Sequence, residues 1–123
     1  MYILDTNVLI YYSKDEDEVV LVVEGLYRKD ESVYISAITE AEFFSYAHLS
    51  DREAERINSF LKTVTIVPFE SRLARLTGLI RKTYGIELAD SAIAATALSL
   101  NGTLLTRNVR DFKKIPELKV QEV

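Results

Sequence analysis

Short apolar runs alternate with segments of helical period along the whole chain, and this alternation restricts the fold more than any other feature. Tyr2-Ile3-Leu4, Val33-Tyr34-Ile35, Val64 to Val67 and Thr103-Leu104-Leu105 are strand-length runs rich in Val, Ile, Leu and Tyr. Lys119-Val120-Gln121 is a weaker, more polar candidate near the end. Runs of this kind suit parallel strands covered on both faces. Between the first two, Val19, Val22, Val23 and Leu26 recur at i, i+3, i+4, i+7. Acids precede them (Asp15 to Glu18) and Arg28 and Lys29 follow, a polarity that complements a helix dipole despite the Val content. Ala41, Phe44 and His48 mark another helical face, and Ile57 and Leu61 the next. Leu73, Leu76, Leu79, Ile80 and Tyr84 form an amphipathic helix that Gly85 is placed to end. Leu88 to Leu100 is Ala-rich and apolar almost all round, which predicts a buried central helix closed by Asn101-Gly102. The alternation implies an α/β fold: a central parallel sheet of four to five strands with helices on both faces. Neither a repeat nor a Pro/Gly/Ser-rich linker interrupts it, so residues 1–123 are expected to form one domain.

No apolar run approaches the roughly 18 residues a membrane span requires, and the first residues lack the pattern of a signal peptide. The absence of cysteine excludes a disulfide framework, a thiol nucleophile and a cysteine zinc site, and points to the cytosol. The formal net charge of −4 means that binding nucleic acid would need a local basic patch. Acids gathered around a metal would push the total in the same direction.

In open parallel sheets, function concentrates at the carboxyl ends of the strands. Asp5 directly follows the first apolar run. Glu42 lies a short way past the second, Asp90 opens the Ala-rich helix, and Asn108 and Asp111 follow Thr106 just beyond Thr103-Leu104-Leu105. Acids distant in sequence can therefore meet at one sheet edge. Each acid alone also reads as a helix-start residue: Asp5 as a cap before Thr6, and Thr39-Glu40-Ala41-Glu42 as a capping box. Asp90 can act on the N-terminus of its own helix, and Asp111 can cap or stand in solvent. Jointly they demand more. Two carboxylates ~4 Å apart repel by roughly 4 kcal/mol at an effective dielectric of 20, so such a site needs protons or a cation. Mg²⁺ and Mn²⁺ prefer oxygen ligands, and a bound cation can activate water toward a phosphate. The single histidine, His48, reads as structural on a helix face with Ala41 and Phe44.

At these residues the chain resembles the PIN-domain family, and within it the VapC-type toxins of toxin–antitoxin systems. Leu4-Asp5-Thr6-Asn7-Val8-Leu9-Ile10 matches the family's opening motif, an apolar strand followed by Asp-Thr-Asn/Ser and a helix. Ile35 to Glu42 is similar to its second motif and Ala89 to Ala97 to its third, with Glu42 and Asp90 at the acidic positions. Leu105-Thr106-Arg107-Asn108-Val109-Arg110-Asp111-Phe112 resembles the fourth, but Asn108 stands where many members carry an acid, while others place the acid three residues later, like Asp111. The resemblance covers nearly the whole chain, with the motifs in order.

The resemblance implies a Mg²⁺- or Mn²⁺-dependent endoribonuclease. Asp5, Glu42 and Asp90 would hold the metal and its waters, with Asp111 (or Asn108) completing the set. Thr6, Asn7, Thr106 and Ser36 would orient those ligands, although each hydroxyl equally suits a turn or cap. The resemblance further implies a homodimer and a cognate antitoxin whose Arg or Lys can enter the acid pocket. RNA would enter as a single strand or exposed loop. Arg107, Arg110, Lys113 and Lys114 follow the fourth motif and are the expected RNA contacts, whereas Arg72, Arg75, Arg81 and Lys82 read as solvated charge. Tyr11 and Tyr12 have the spacing of core or interface residues more than of base-stacking ones. A dehalogenase-type phosphatase would need a second Asp where Asn7 stands, and a receiver domain would need paired acids after the first strand. The remaining alternative is a catalytically silent PIN-like module that binds RNA or protein.

Overall fold

The computed structural model describes all of residues 1–123. The chain runs β1 (Tyr2–Leu4), α1 (Thr6–Ser13), α2 (Asp17–Arg28), β2 (Val33–Ser36), α3 (Ala37–Phe44), α4 (Asp51–Leu61), β3 (Thr65–Val67), α5 (Ser71–Tyr84), α6 (Leu88–Leu100), β4 (Thr103–Thr106), α7 (Val109–Phe112) and β5 (Lys119–Glu122). All pairings are parallel, and the strands lie in the order β3-β2-β1-β4-β5. The fourth apolar run and the weak polar one therefore both become strands, while Val64 falls outside β3.

The two-residue period of the strands divides the interior in two. Leu4, Val33, Ile35 and Leu105 face one core, with Val8 and Leu9 from α1, Val19, Val23 and Leu26 from α2, Phe43 from α3, and Ile57 and Phe60 from α4. Ile3 and Leu104 face the other, with Leu73 and Ile80 from α5, Ile93, Ala94, Ala95 and Ala97 from α6, and Phe112 from α7. Each Leu, Ile or Phe buried this way contributes roughly 1.5–3 kcal/mol. The Val-rich α2 is helical because one face is apolar and its ends carry Asp17 and Glu18 at the start and Arg28 at the finish. Gly85 (φ 69°) and Asn101 (φ 51°) end α5 and α6 in the left-handed conformation, as their positions predict.

Three local expectations fail. The helix expected through Ala41, Phe44 and His48 ends at Phe44. Phe43 is buried while Ala41 and Phe44 are exposed, and His48 lies exposed in the following turn against the Tyr46 ring. Two adjacent phenylalanines offer two possible faces, and packing on the first core selects Phe43. The capping box expected at Thr39–Glu42 does not form. Ser36 caps α3 through its Oγ, and Thr39 is buried inside the helix. Finally, Leu79 on α5 is 59% exposed rather than packed inward.

The sheet order places a topological switch point beside β1. From β1 the chain builds outward through β2 and β3, then returns to build β4 and β5 on the other side. Beyond the carboxyl ends of β1 and β4, connections leave in opposite directions and a crevice opens.

Candidate active site at the strand ends

Asp5 follows β1 directly into that crevice and is 3% exposed. Its backbone is extended (φ −71°, ψ 157°), so it caps α1, and its Oδ1 accepts from the Thr6 amide at 2.8 Å. Its Oδ2 accepts from Thr106 Oγ1 at 2.6 Å, across the ends of β1 and β4. Thr106 Oγ1 in turn accepts from the Asn108 amide at 2.9 Å. Burial pushes the Asp5 carboxyl above its ordinary range and nearby Glu42 adds to this, while the bonds from Thr106 and Thr6 oppose it.

Glu42 approaches from α3, which starts immediately after β2, so this acid sits in the second helical turn. Its Oε1 accepts from Thr6 Oγ1 at 2.6 Å. Asp90 lies in the first turn of α6, half-buried. Its pKa is pushed up to about 6, by burial first and then by Asp5, Glu42, Glu87 and Asp111. Asn108 Nδ2 lies 3.4 Å from Asp90 Oδ2 and donates to Asp111 Oδ2 at 3.1 Å, so one amide spans both acids. Asp111 is held below the usual carboxylate range, chiefly by Asn108 and then by Lys114 and Arg110.

The structure thus joins Asp5, Glu42, Asp90 and Asp111 through Thr6, Thr106 and Asn108. The capping and clustering readings of Asp5 hold together, because one carboxylate does both. Ser36 instead spends its Oγ on capping α3, accepting from the Ile38 amide at 3.1 Å. Asn7 is exposed and its side chain makes no hydrogen bond. Arg110 and Lys113 are exposed beside the fourth acid without ion pairs. Arg107 is engaged elsewhere: Glu16 pairs with it and its guanidinium covers the Tyr11 ring. Tyr12 packs against Phe60 and under Arg56, so both tyrosines serve internal contacts. Glu87, which raises Asp90, was not singled out from the sequence; its cue was an acid at the cap position three residues before Asp90. The bridging role of Asn108 depends on a turn geometry that residue types alone do not encode.

Carboxylate oxygens are hard donors of the kind Mg²⁺ and Mn²⁺ accept. As the side chains stand, no three acids close around one point tightly enough to enclose a cation. Mg²⁺ keeps several waters and binds through one or two carboxylates, so an open arrangement with surplus negative charge fits it.

The PIN-domain family model matches residues 2–118. The chain belongs to the PIN-domain family. Ribonuclease VapC2 of Rickettsia felis is 31% identical over 127 residues, covering 96% of this chain and 94% of the relative. The crystal structure of VapBC2 from Rickettsia felis bound to a promoter DNA fragment superposes with a TM-score of 0.84 at 28% identity, covering 99% of this chain and 98% of that one. A toxin–antitoxin complex from Klebsiella pneumoniae superposes equally well, with a TM-score of 0.84 at 29% identity and full coverage of both chains. The expected fold, a central parallel sheet of four to five strands with helices on both faces, is the PIN fold, and the sheet has five strands.

Proposed function

We propose that this PIN domain is a Mg²⁺- or Mn²⁺-dependent endoribonuclease, the toxin of a VapBC-type pair. The carrying observation is the cluster itself. Four acids from four parts of the chain are tied together at the switch-point crevice, and burial first, then the neighbouring acids, push Asp90 up to about 6. The ribonuclease relatives and the toxin–antitoxin structures support the same reading.

Asp5, Glu42 and Asp90 would hold the cation and its waters, with Asp111 as the fourth acid. A bound divalent ion supplies an activated water and neutralises charge on the phosphate. The protein's own groups set the geometry. Thr6 and Thr106 lock the Glu42 and Asp5 carboxylates, and Asn108 holds Asp90 and Asp111 at a fixed spacing without adding charge. Arg110 and Lys113 draw the RNA backbone toward an otherwise repulsive site. RNA is the substrate, a cognate antitoxin silences the enzyme, the working form is a homodimer, and the compartment is the cytoplasm. No helix is long and apolar enough to cross a membrane.

The test is cleavage of labelled single-stranded RNA with Mg²⁺ or Mn²⁺ and then with EDTA, using native protein and Asp5→Asn. Cleavage is expected only with metal and only by the native protein, while circular dichroism shows both folded. Equal cleavage by Asp5→Asn would reject the site. RNA binding without cleavage in any metal would favour a silent binding module.

A further inference from the structure

Arg107 stands between the two residues that organise the acids. Thr106 before it holds Asp5, and Asn108 after it spans Asp90 and Asp111. Its own side chain goes elsewhere. Nη1 donates to Glu16 Oε2 at 3.0 Å, Nη2 pairs with Glu16 Oε1, and Nε donates to the Val123 carbonyl at 3.0 Å. Glu18 lies 3.6 Å from Nη2, and the Tyr11 ring centroid is 4.5 Å from the guanidinium carbon. All three guanidinium nitrogens are engaged and one face is covered.

These partners come from three segments: Tyr11 from α1, Glu16 at the start of α2, and Val123 after β5. The Val123 amide also donates to the Thr106 carbonyl at 3.2 Å, closing a second tie on the same turn. The turn needs external support. Asn108 sits at φ −91°, ψ 54°, outside regular structure, and α7 beyond it has four residues and no side-chain cap. The placements of Thr106 Oγ1 and Asn108 Nδ2 both depend on the backbone at Arg107.

We propose that Arg107 is a positioning residue: its clamp on Glu16 and the Val123 carbonyl fixes the turn that aims Thr106 and Asn108 at the site acids, and it does not contact RNA. The planar, two-pronged pair matters because it sets orientation as well as distance, which a lone ammonium cannot do. Glu16 makes no capping bond to α2, so removing its side chain tests the clamp without uncapping that helix.

The inference rests on the ribonuclease reading, and its test separates the two. Full-length Arg107→Gln, Arg107→Lys, Glu16→Ala and the Arg107→Gln/Glu16→Ala double variant are compared with native protein at a temperature where circular dichroism shows the protein folded. The measurements are kcat and KM on single-stranded RNA, RNA Kd in EDTA at two salt concentrations, and Mn²⁺ affinity by calorimetry. The expected result is a loss of about tenfold or more in kcat and in Mn²⁺ affinity for each single variant. KM, RNA Kd and salt slope stay within about twofold, and the double variant is no worse than Arg107→Gln, as one shared interaction requires. If Arg107 instead contacts RNA, Arg107→Gln weakens RNA binding and lowers the salt slope by about one. Arg107→Lys then stays active, and Glu16→Ala, by freeing the guanidinium, tightens binding. That pattern overturns the proposal, as do unchanged kcat and Mn²⁺ affinity. Should Arg107→Gln fail to fold, Glu16→Ala carries the test alone. If native protein cleaves nothing, the nuclease reading falls, while Mn²⁺ affinity still decides whether the clamp shapes the acids.

Discussion

Replacing Asp90 with Asn should stabilise the metal-free protein at neutral pH while removing activity. The Asp90 carboxyl moves from 3.8 to about 6 on folding, by burial and then by the neighbouring acids. At roughly 1.4 kcal/mol per pK, that is about 3 kcal/mol held against the ionised form. Asp90 is only half-buried, so solvent screening reduces the figure to about 1 kcal/mol. The sign follows from proton counting. Between pH 3.8 and about 6 the folded chain keeps a proton that the unfolded chain has lost, so this contribution falls as pH rises through that window and then levels off. Asn carries no titrating proton. In EDTA, Asp90→Asn should therefore match the native protein near pH 4 and melt about 4 °C higher near pH 7. Mn²⁺ should reverse the order, since a ligand at a hundred times its Kd stabilises the native protein by about 2.7 kcal/mol and the variant has lost a ligand group. The assay is thermal melting by circular dichroism from pH 4 to 7.5, with and without Mn²⁺. A variant that melts lower at pH 7, or a gap that does not change with pH, would refute the claim that burial and the neighbouring acids make an ionised Asp90 costly.

Other substitutions probe the supports. Thr106→Val removes a buried, charge-assisted bond to Asp5 and should cost about 2 kcal/mol in urea unfolding, without altering the shape of the far-ultraviolet spectrum. Thr39 Oγ1 is buried and has no hydrogen-bond partner, so Thr39→Val should raise the urea midpoint by the equivalent of about 1 kcal/mol; a lower midpoint would show that the hydroxyl is satisfied. A Cβ at Gly102 would clash with Ile3 Cδ1 and stand 3.2 Å from the Met1 carbonyl oxygen. Ile3 is fully buried and has little room to move, so Gly102→Ala should cost roughly 1–3 kcal/mol in the same assay.

The fold was legible wherever one physical period dominated. Alternation of strand-length runs with helical segments yields the five parallel strands, and the dipole-matched charges around Val19 to Leu26 identify a helix that Val propensity alone would obscure. It failed around Ala41 to His48, where Phe43 and Phe44 fit an inward face equally well and only the facing core decides. At the site, strand-end placement and motif order pick out Asp5, Glu42 and Asp90, because position along the chain already brings them to one edge. The fourth place was ambiguous for a reason the geometry explains. Asn108 and Asp111 are hydrogen-bonded to each other, so both belong to the cluster in different capacities. The destination of Arg107 was illegible, because its partners come from residues 16 and 123, far from it in sequence.

The sheet's two margins bear on how copies of this chain can associate. A free strand edge is a template for pairing with another molecule, and proteins blunt such edges with short strands, charge and proline. Here β3 has three residues and runs straight into Pro68, which cannot donate, while β5 carries Lys119 and Glu122 on a largely exposed strand. Neither margin invites a continuous intermolecular sheet. A contact between copies that used helix surfaces instead would leave the crevice beyond the strand ends uncovered.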